Sequence, residues 1–251
     1  MHARRLLLVL IVVASGCRSA GVPPATAPVR ASPTAVAAPN GHETRDSSAI
    51  RWVRDSAEYR ALVLQAYRLA TLHVEREAAS RQAGSWAVVL DADETVISNL
   101  TYQIERARAG LGFTPESWYA WVRREEATPL PGAAAFLARV HGLGGRIAIV
   151  TNRRMGECDA TVAVFRKYAL AYDAILCRPD EGPSDKTPRF DAVARGDALP
   201  GSGPLAVVAV LGDNIFDFPG LSQDARDDAS LAAVGERYFV LPNPMYGSWE
   251  R

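Results

Sequence analysis

The stretch Trp86-Ala-Val-Val-Leu-Asp91-Ala-Asp93-Glu94-Thr95 places two carboxylates directly after a short apolar run. An apolar run that is rich in valine and has no polar face is typical of a strand buried in a parallel sheet. In open α/β sheets, ligands bind outside the carboxyl ends of such strands. Asp91 therefore stands where a functional group is expected, and Asp93, in the following turn, can face the same point. The alternative is a strand that ends in a solvated acidic turn.

Four further apolar runs predict the remaining strands of the same sheet. They span residues 146–152, the last two of which are polar, and residues 172–177, 205–211 and 238–241. Helical segments separate most of the runs, while a Gly/Pro-rich loop that carries Lys186 and Arg189 is predicted before the fourth strand. A strand, a helix and a parallel strand form a right-handed unit with helices covering the sheet. We therefore predict an α/β, Rossmann-like fold with a five-stranded parallel sheet covered by helices.

Two helical regions beside the first strand predict a small, mainly helical cap. The region of about residues 50–80 carries apolar residues at helical spacing and forms one long helix or two. The region of about residues 99–130 contains Thr114 and Pro115, which suit the N-cap and the first turn of a helix. We predict that these helices form the cap above the strand ends.

The N-terminal sequence predicts a targeting signal. Two arginines precede the apolar run of residues 6–14, which is too short to span a bilayer, and small residues lead into Cys17. This pattern resembles the bacterial lipobox, so we predict that residues 1–17 are a lipoprotein signal with Cys17 as the lipidated residue. Ordinary signal cleavage is the alternative. A lipid anchor places the protein in the cell envelope, at the outer membrane or as a lipoprotein on the periplasmic face.

Composition separates a tether from a folded domain. Residues 18–48 are rich in Ala, Pro, Ser and Thr and lack periodic apolar residues, which predicts a flexible tether. Residues 49–251 are predicted to form the folded domain. The net charge is zero and there is no basic stripe, so we expect no nucleic-acid partner. The four histidines are far apart in the sequence, which argues against a zinc hydrolase.

The predicted strand ends bring polar residues to one rim, because all carboxyl ends of a parallel sheet face the same side. The groups are Asp91 and Asp93 after the first strand, Thr151 and Asn152 at the end of the second, Lys186 from a loop, and Asp213, Asn214 and Asp217 after the fourth. Each segment alone is a weak signal, whereas four of them in this order are a strong one.

These motifs resemble the haloacid dehalogenase (HAD) superfamily, and the second aspartate of DxDxT resembles its phosphatase branch. IVTNRR, DKTPRF, GDNIFDF and the terminal LPNPMYGSWE look like the class C bacterial acid phosphatases, which include an outer-membrane lipoprotein that acts as a 5′-nucleotidase. The resemblance covers about residues 50–251. The sequence departs from the family pattern at residues 98–101, Ser-Asn-Leu-Thr, which bears on substrate preference rather than on the reaction.

The resemblance implies a mechanism with two carboxylates in different roles. Asp91 would be the nucleophile that forms an aspartyl-phosphate. Asp93 would protonate the leaving group and then deprotonate the attacking water. Asp91, Asp213 and the main-chain carbonyl of Asp93 would offer Mg²⁺ the hard oxygen ligands that it prefers.

The resemblance also implies roles for the other rim residues. Thr151, Asn152 and Lys186 would bind the phosphoryl oxygens. Asp217 and Asn214 would support this inner set. Arg153 and Arg189 are interpreted as structural or rim groups. Aromatic faces for a nucleoside base are expected from Tyr246, the first choice, and from Tyr102, Trp118, Trp121 and Trp249.

The predicted function is a Mg²⁺-dependent acid phosphatase acting on phosphomonoesters, with nucleoside 5′-monophosphates as the substrate class. The rival hypothesis is a non-catalytic surface lipoprotein that binds a small aromatic ligand on a phosphatase scaffold. The membrane, through the lipid anchor, and a homodimer are the other expected partners. Cys158 and Cys177 could form a disulfide in an oxidising envelope or remain two separate thiols; the sequence leaves both open.

Overall fold

The structure is a computed structural model, and it describes residues 46–250. The predicted signal, Cys17 and nearly all of the tether lie outside these residues and stay predictions. Within residues 46–250, no helix combines the length and the apolar character needed to cross a membrane. Helical structure begins at Ser48, where the Ser47 hydroxyl accepts a hydrogen bond from the amide of Ile50 at 3.2 Å.

A five-stranded parallel sheet forms the centre of the described chain. In chain order the strands are β1 (Trp86–Leu90), β2 (Ile97–Ser98), β3 (Thr128–Pro129), β4 (Arg146–Arg154), β5 (Ala174–Arg178), β6 (Ala206–Gly212) and β7 (Tyr238–Val240). The parallel sheet has the order β5-β4-β1-β6-β7, while β2 and β3 form a separate antiparallel pair. The predicted α/β fold with five parallel strands is confirmed, and β1, which carries the DxD motif, is its central strand.

Helices cover both faces of this sheet. They are α1 (Ser48–Asp55), α2 (Ala57–Ala78), α3 (Leu100–Arg108), α4 (Pro115–Val122), α5 (Ala133–Gly142), α6 (Cys158–Lys167) and α7 (Thr187–Arg195). In β1, Val88 and Leu90 belong to the core shared with α2, α5 and α6, whereas Ala87 and Val89 belong to the core shared with α7. Burial on both sides explains why the strand is apolar throughout.

The N-terminal helical region is two helices. Ser56 separates them: its hydroxyl donates to the carbonyl of Trp52 at 2.7 Å and accepts from the amide of Tyr59 at 3.0 Å, so one side chain ends α1 and caps α2. Helix α2, which we predicted to belong to the cap, packs against α5 and strands β6 and β7. Helices α3 and α4 lie between β2 and β3 in the sequence, and Thr114 caps α4 as predicted.

The segment after Lys186 differs from the prediction of a loop. Residues 187–195 form helix α7, with Pro188 in its first turn and Gly196 in the left-handed conformation (φ 83°) after its last. Proline in the first turn and glycine just past the end are ordinary helix boundaries. Arg189 therefore lies on a helix.

Cys158 and Cys177 form a disulfide, which decides between the two alternatives left open by the sequence. The bond joins the first residue of α6 to strand β5, across a sequence separation of 19 residues. In the chain-entropy account, a closed loop of this length stabilises the fold by about 3 kcal/mol.

Candidate active site

The carboxyl end of β1 holds the predicted nucleophile in a buried ion cluster. Asp91 is 8% exposed, and its amide donates to the carbonyl of Leu211 on β6 at 3.0 Å. The Lys186 ammonium, 4% exposed, contacts the Asp91 carboxylate and donates to Oδ1 of Asp217 at 2.7 Å. Three segments that are distant in the sequence thus meet at one point.

Asp213 completes a set of three carboxylates suited to a metal ion. Asp91, Asp213 and Asp217 each offer one oxygen, and these oxygens lie within 4.8 Å of one another. Both oxygens of Asp217 already accept hydrogen bonds, from Lys186 and from the amide of Asn214 at 2.9 Å. Asp91 and Asp213 are therefore the better ligands. Because all donors are oxygens, the set fits a hard divalent cation such as Mg²⁺.

The backbone at Gly212 gives Asp217 its place. A Cβ atom on Gly212 would overlap the Asp217 side chain, so only glycine lets the end of β6 approach that carboxylate. Asn214 caps the following 3₁₀ turn, its side-chain oxygen accepting from the amide of Phe216 at 3.1 Å. The Gly-Asp-Asn motif is thus needed for geometry as well as for chemistry.

Burial and mutual repulsion make the ionised acids unfavourable in the metal-free cluster. Burial raises the pKa of Asp91 to about 7, against the opposing effect of Lys186 and with additional repulsion from Asp217 and Asp93. Burial also raises the pKa of Asp213 well above its usual range, together with the charges of Asp217 and Asp91. A bound cation would favour the ionised form of both acids.

Asp93 is held by side chains that the sequence analysis did not assign to the site. Oδ1 of Asp93 accepts from the amide group of Asn99 at 2.8 Å and from Nη2 of Arg153 at 2.8 Å. Arg153 is 2% exposed and lies inside the site, whereas we had interpreted it as a structural or rim group. Burial alternates over the last four residues of β4, so that Thr151 and Arg153 point to one side and Asn152 and Arg154 to the other.

Two of the three predicted phosphate-binding residues, Thr151 and Asn152, lie at the end of β4. Thr151 is fully buried, and its hydroxyl accepts from the amide of Arg153 at 3.1 Å. Asn152 is exposed, and its side-chain oxygen accepts from Arg189 at 2.8 Å. Arg189 also contacts the carbonyl of Thr151, so helix α7 fixes this strand end through one guanidinium group.

Glu94, which directly follows the DxD motif, is a buried carboxylate for which the sequence predicted no role. It has no exposed surface and adopts φ 51°, a left-handed conformation that is uncommon for a residue other than glycine. Its Oε1 accepts from the amide of Asn99 at 2.9 Å and from the hydroxyl of Tyr246 at 3.1 Å. Glu94 therefore ties the C-terminal segment to the DxD turn. Burial raises the pKa of Glu94 to about 7.

The predicted aromatic residues occupy three different places. Tyr246 reaches the DxD turn through Glu94. Tyr102 on α3 and Trp121 on α4 are buried, and Tyr102 packs edge-on against Trp118 with ring centroids 5.3 Å apart. Trp249 is 51% exposed and lines a separate cavity of about 500 Å³ with residues of the 215–240 region. Of the five, Tyr246 is the one with a direct hydrogen bond to the DxD segment.

Glu94 gives a prediction on pH and stability in the metal-free protein. Between pH 4.5 and about 7 the folded chain keeps the Glu94 proton while the unfolded chain loses it. The contribution of Glu94 to the free energy of unfolding therefore falls as the pH rises. Glu94→Gln should match wild type near pH 4 and be more stable above pH 7, by roughly 3 kcal/mol. Thermal unfolding in EDTA across this range is the measurement, with the exposed Glu236→Gln as control. A difference that does not change with pH would contradict the assignment.

Lys186 gives a second prediction, on the ion cluster. Lys186→Met should lower the free energy of unfolding by about 3–5 kcal/mol, because two buried carboxylates lose the cation between them. Urea denaturation in EDTA measures the loss, and exposed Lys167→Met is the matched control. Added Mg²⁺ should recover part of the loss. Equal stability of the two variants would mean that the cluster does not depend on Lys186.

Comparison with known proteins is consistent with this geometry. The sequence profile of the HAD superfamily, subfamily IIIB (acid phosphatase), matches residues 11–249. Two solved structures of the class C acid phosphatase from Bacillus anthracis, one with tungstate bound, are 30% and 31% identical to this chain. Both have a TM-score of 0.71 and cover 80% of this chain and 85% of theirs.

A curated plant protein is more distant. The stem 31 kDa glycoprotein of Glycine max is 23% identical over 159 residues, and this chain spans 58% of the length of that relative. The family profile and the class C structures together indicate a phosphomonoester hydrolase. The chain belongs to subfamily IIIB of the HAD superfamily, the acid phosphatases.

Proposed function

We propose that this chain is a Mg²⁺-dependent acid phosphatase that hydrolyses nucleoside 5′-monophosphates through an aspartyl-phosphate. The carrying observation is the position of Asp91 at the end of the central strand, with Asp213 and Asp217 within 4.8 Å and Lys186 against it. The test is turnover of AMP and p-nitrophenyl phosphate before and after EDTA. Activity that survives EDTA would exclude the metal, and no turnover of either ester would favour the aromatic-ligand hypothesis.

The chain's own groups account for both chemical steps. Asp91 attacks phosphorus, the bond to the leaving oxygen breaks, and Asp93 gives that oxygen its proton. In the second step Asp93 takes a proton from water, and the water oxygen displaces Asp91 from phosphorus. Mg²⁺, held by Asp91, Asp213 and the Asp93 carbonyl, would supply charge that lets two anions approach.

The remaining rim residues fit the needs of the phosphoryl group. Its oxygens require donors and positive charge, because charge is spread over them in the transition state. Lys186 supplies a buried cation, and Thr151 a hydroxyl at the neighbouring strand end. The B. anthracis relative was solved with tungstate, which like phosphate is a tetrahedral oxyanion, and this supports an oxyanion site here.

Tyr246 supports the nucleotide as substrate class. Stacking of a base on an aromatic face is worth about 1–3 kcal/mol, or roughly 5- to 150-fold in affinity. Tyr246→Ala should therefore raise KM for AMP by about that factor while leaving KM for ribose 5-phosphate unchanged. The matched control is Tyr119→Ala, which removes a 42% exposed tyrosine of the cap. An equal rise for both esters would mean that stacking is not the role of Tyr246.

The lipid anchor and the envelope location are part of the proposal. The lipobox-like residues before Cys17 support it, and so does the Cys158–Cys177 disulfide, since such bonds persist in oxidising compartments. Cys17→Ser should move the protein from the detergent phase to the aqueous phase in detergent partitioning. If the variant stays in the detergent phase, the anchor lies elsewhere.

We also propose that the second partner is another copy of this chain, paired through helix α2. Its solvent face carries Leu62, Leu69 and Leu72 at 43%, 42% and 54% exposure. With Glu58, Gln65 and Arg76 they form a row spaced alternately by four and three residues, the seam of a two-helix coiled coil. Antiparallel pairing would place Glu58 of one copy against Arg76 of the other, and neither forms an ion pair among the described residues.

Leu69→Arg should convert this dimer to a monomer in analytical ultracentrifugation. Leu111→Arg changes an equally apolar residue, 54% exposed, that lies outside α2, and should leave the dimer intact. Chains carrying Glu58→Cys, mixed with chains carrying Arg76→Cys, should cross-link to one another on oxidation if the helices are antiparallel, whereas either variant would cross-link to itself if they were parallel. A monomeric wild-type protein would overturn the pairing.

A further inference from the structure

The side chain of Arg153 is built into the site around a single carboxylate. Its Nε lies 3.0 and 3.1 Å from the two oxygens of Asp93, and its Nη2 lies 2.8 Å from Oδ1. Arg153 is 2% exposed, so its charge needs a buried partner, and Asp93 is its one ion-pair partner within residues 46–250. Such a contact fixes both the position and the rotation of the carboxylate.

Three other elements fix Arg153 in turn. Its Nη1 donates to the hydroxyl of Thr161 on α6 at 3.2 Å, and its Nη2 donates to Oδ1 of Asn99 at 3.2 Å. The guanidinium lies over the ring of Trp118 on α4, 5.5 Å from the ring centroid. The arginine thus has little freedom to move independently of the cap and α6.

Asn99 is a second hydrogen-bond donor to the Asp93 carboxylate. Trp121 on α4 donates its indole N–H to Oδ1 of Asn99 at 2.8 Å, and because indole is only a donor, that atom must be the amide oxygen. The amide NH₂ group therefore faces Asp93, where it donates to Oδ1 at 2.8 Å. The orientation of Asn99 follows from the cap residue that it meets.

The two oxygens of Asp93 are consequently unequal. Oδ1 accepts from Asn99 and from two nitrogens of Arg153, which leaves no room for a proton. Oδ2 has one longer contact, 3.1 Å from Nε of Arg153. We propose that Arg153, assisted by Asn99, is a positioning residue that anchors Asp93 by Oδ1 and leaves Oδ2 as the oxygen that carries the catalytic proton.

This assignment rests on the proposed phosphatase function and specifies its proton transfers. Oδ2–H gives its proton to the leaving alkoxide oxygen as the P–O bond breaks, and the carboxylate that forms is neutralised by Arg153. Oδ2 then takes a proton from the water that displaces Asp91 from phosphorus. The proton therefore leaves and returns at one atom, and the contacts to Oδ1 persist throughout.

The test compares esters whose leaving groups differ in their need for a proton. The measured quantity is kcat/KM, which reports the step in which the leaving group departs. Arg153→Ala should lose about 10²-fold with AMP, towards the lower end of the 10²–10⁴ range for a general acid, and only a few-fold with p-nitrophenyl phosphate. Arg153→Lys should recover part of the loss, since lysine keeps the charge but not the two-pronged contact. Exposed Arg154→Ala is the matched control and should behave as wild type.

A double-mutant cycle separates positioning from a general structural role. In an Asp93→Asn background, adding Arg153→Ala should cause no further loss with AMP, because the group being positioned is already gone. This double variant removes both members of the ion pair, so it avoids the unpaired Asp93 charge that Arg153→Ala alone leaves behind. Equal losses for both esters, or a further loss in the Asp93→Asn background, would overturn the proposal. Failure of the phosphatase function itself would look different: wild type would turn over neither ester.

Discussion

Asp91→Asn should abolish turnover of every phosphomonoester, by roughly 10⁶-fold, the scale of loss when an enzyme's nucleophile is removed. The amide nitrogen cannot attack phosphorus, and the cluster of Asp91, Asp213 and Asp217 loses one of its oxygen donors for a cation. The measurements are steady-state turnover of AMP and Mg²⁺ affinity by calorimetry, which should also fall. The exposed Asp191→Asn, on helix α7, is the matched control.

The same variant should be more stable than wild type in EDTA. Burial raises the pKa of Asp91 to about 7, so at pH 8 the folded protein holds an unfavourable charge that asparagine lacks. Lost activity together with a raised melting temperature would identify Asp91 as a residue retained for chemistry at a cost to stability. Wild-type activity in Asp91→Asn would require the mechanism to be abandoned.

Asp93→Asn should be selective for the leaving group. It removes the general acid, a loss of about 10²–10⁴ in rate, and the loss should fall mainly on AMP because an alkoxide needs a proton and nitrophenolate hardly does. Dephosphorylation of Asp91 also needs Asp93, as the base. The phosphoenzyme should therefore accumulate from p-nitrophenyl phosphate, and rapid mixing should show a burst of nitrophenolate.

Mg²⁺ binding by Asp93→Asn should stay close to wild type, because Asp93 is expected to offer the metal only its main-chain carbonyl. Its stability should fall, by about 3–5 kcal/mol, because the buried Arg153 loses its carboxylate partner. If single-turnover rates fell equally for both esters, Asp93 would not be the acid.

The sequence predicted the parts of the site that follow from strand topology. Apolar runs located the strands, and the rule that ligands bind at strand carboxyl ends then placed Asp91 and Asp213 at one rim. Helix α7 was missed although Pro188 and Gly196 mark its limits, because the Gly/Pro-rich segment before it was extended into one long loop. The residues that mark both ends of the helix were present, but the Gly/Pro-rich composition of the preceding segment favoured the prediction of a loop.

The contacts around Asp93 were harder to predict, for two different reasons. The predicted strand ended at Asn152, one residue before Arg153, whereas β4 continues to Arg154 and places Arg153 on the same side as Thr151. The sequence around Asn99 gave no comparable signal, because the orientation of this side chain depends on a hydrogen bond from the indole of Trp121, 22 residues later. A side chain whose partner comes from another element cannot be assigned from spacing alone.

The ion cluster has a consequence for which ions the protein can use. When ionised, three carboxylates and one ammonium group leave two uncompensated negative charges in a buried space. A divalent ion cancels this excess, whereas a monovalent ion leaves one charge behind and a trivalent ion reverses the sign. Occupancy also acts on folding by mass action: a cation at 100 times its Kd adds about 2.7 kcal/mol to the stability of the native state. Because a divalent ion matches the charge of the cluster, the concentration of divalent cations around the protein should affect the stability of its native state.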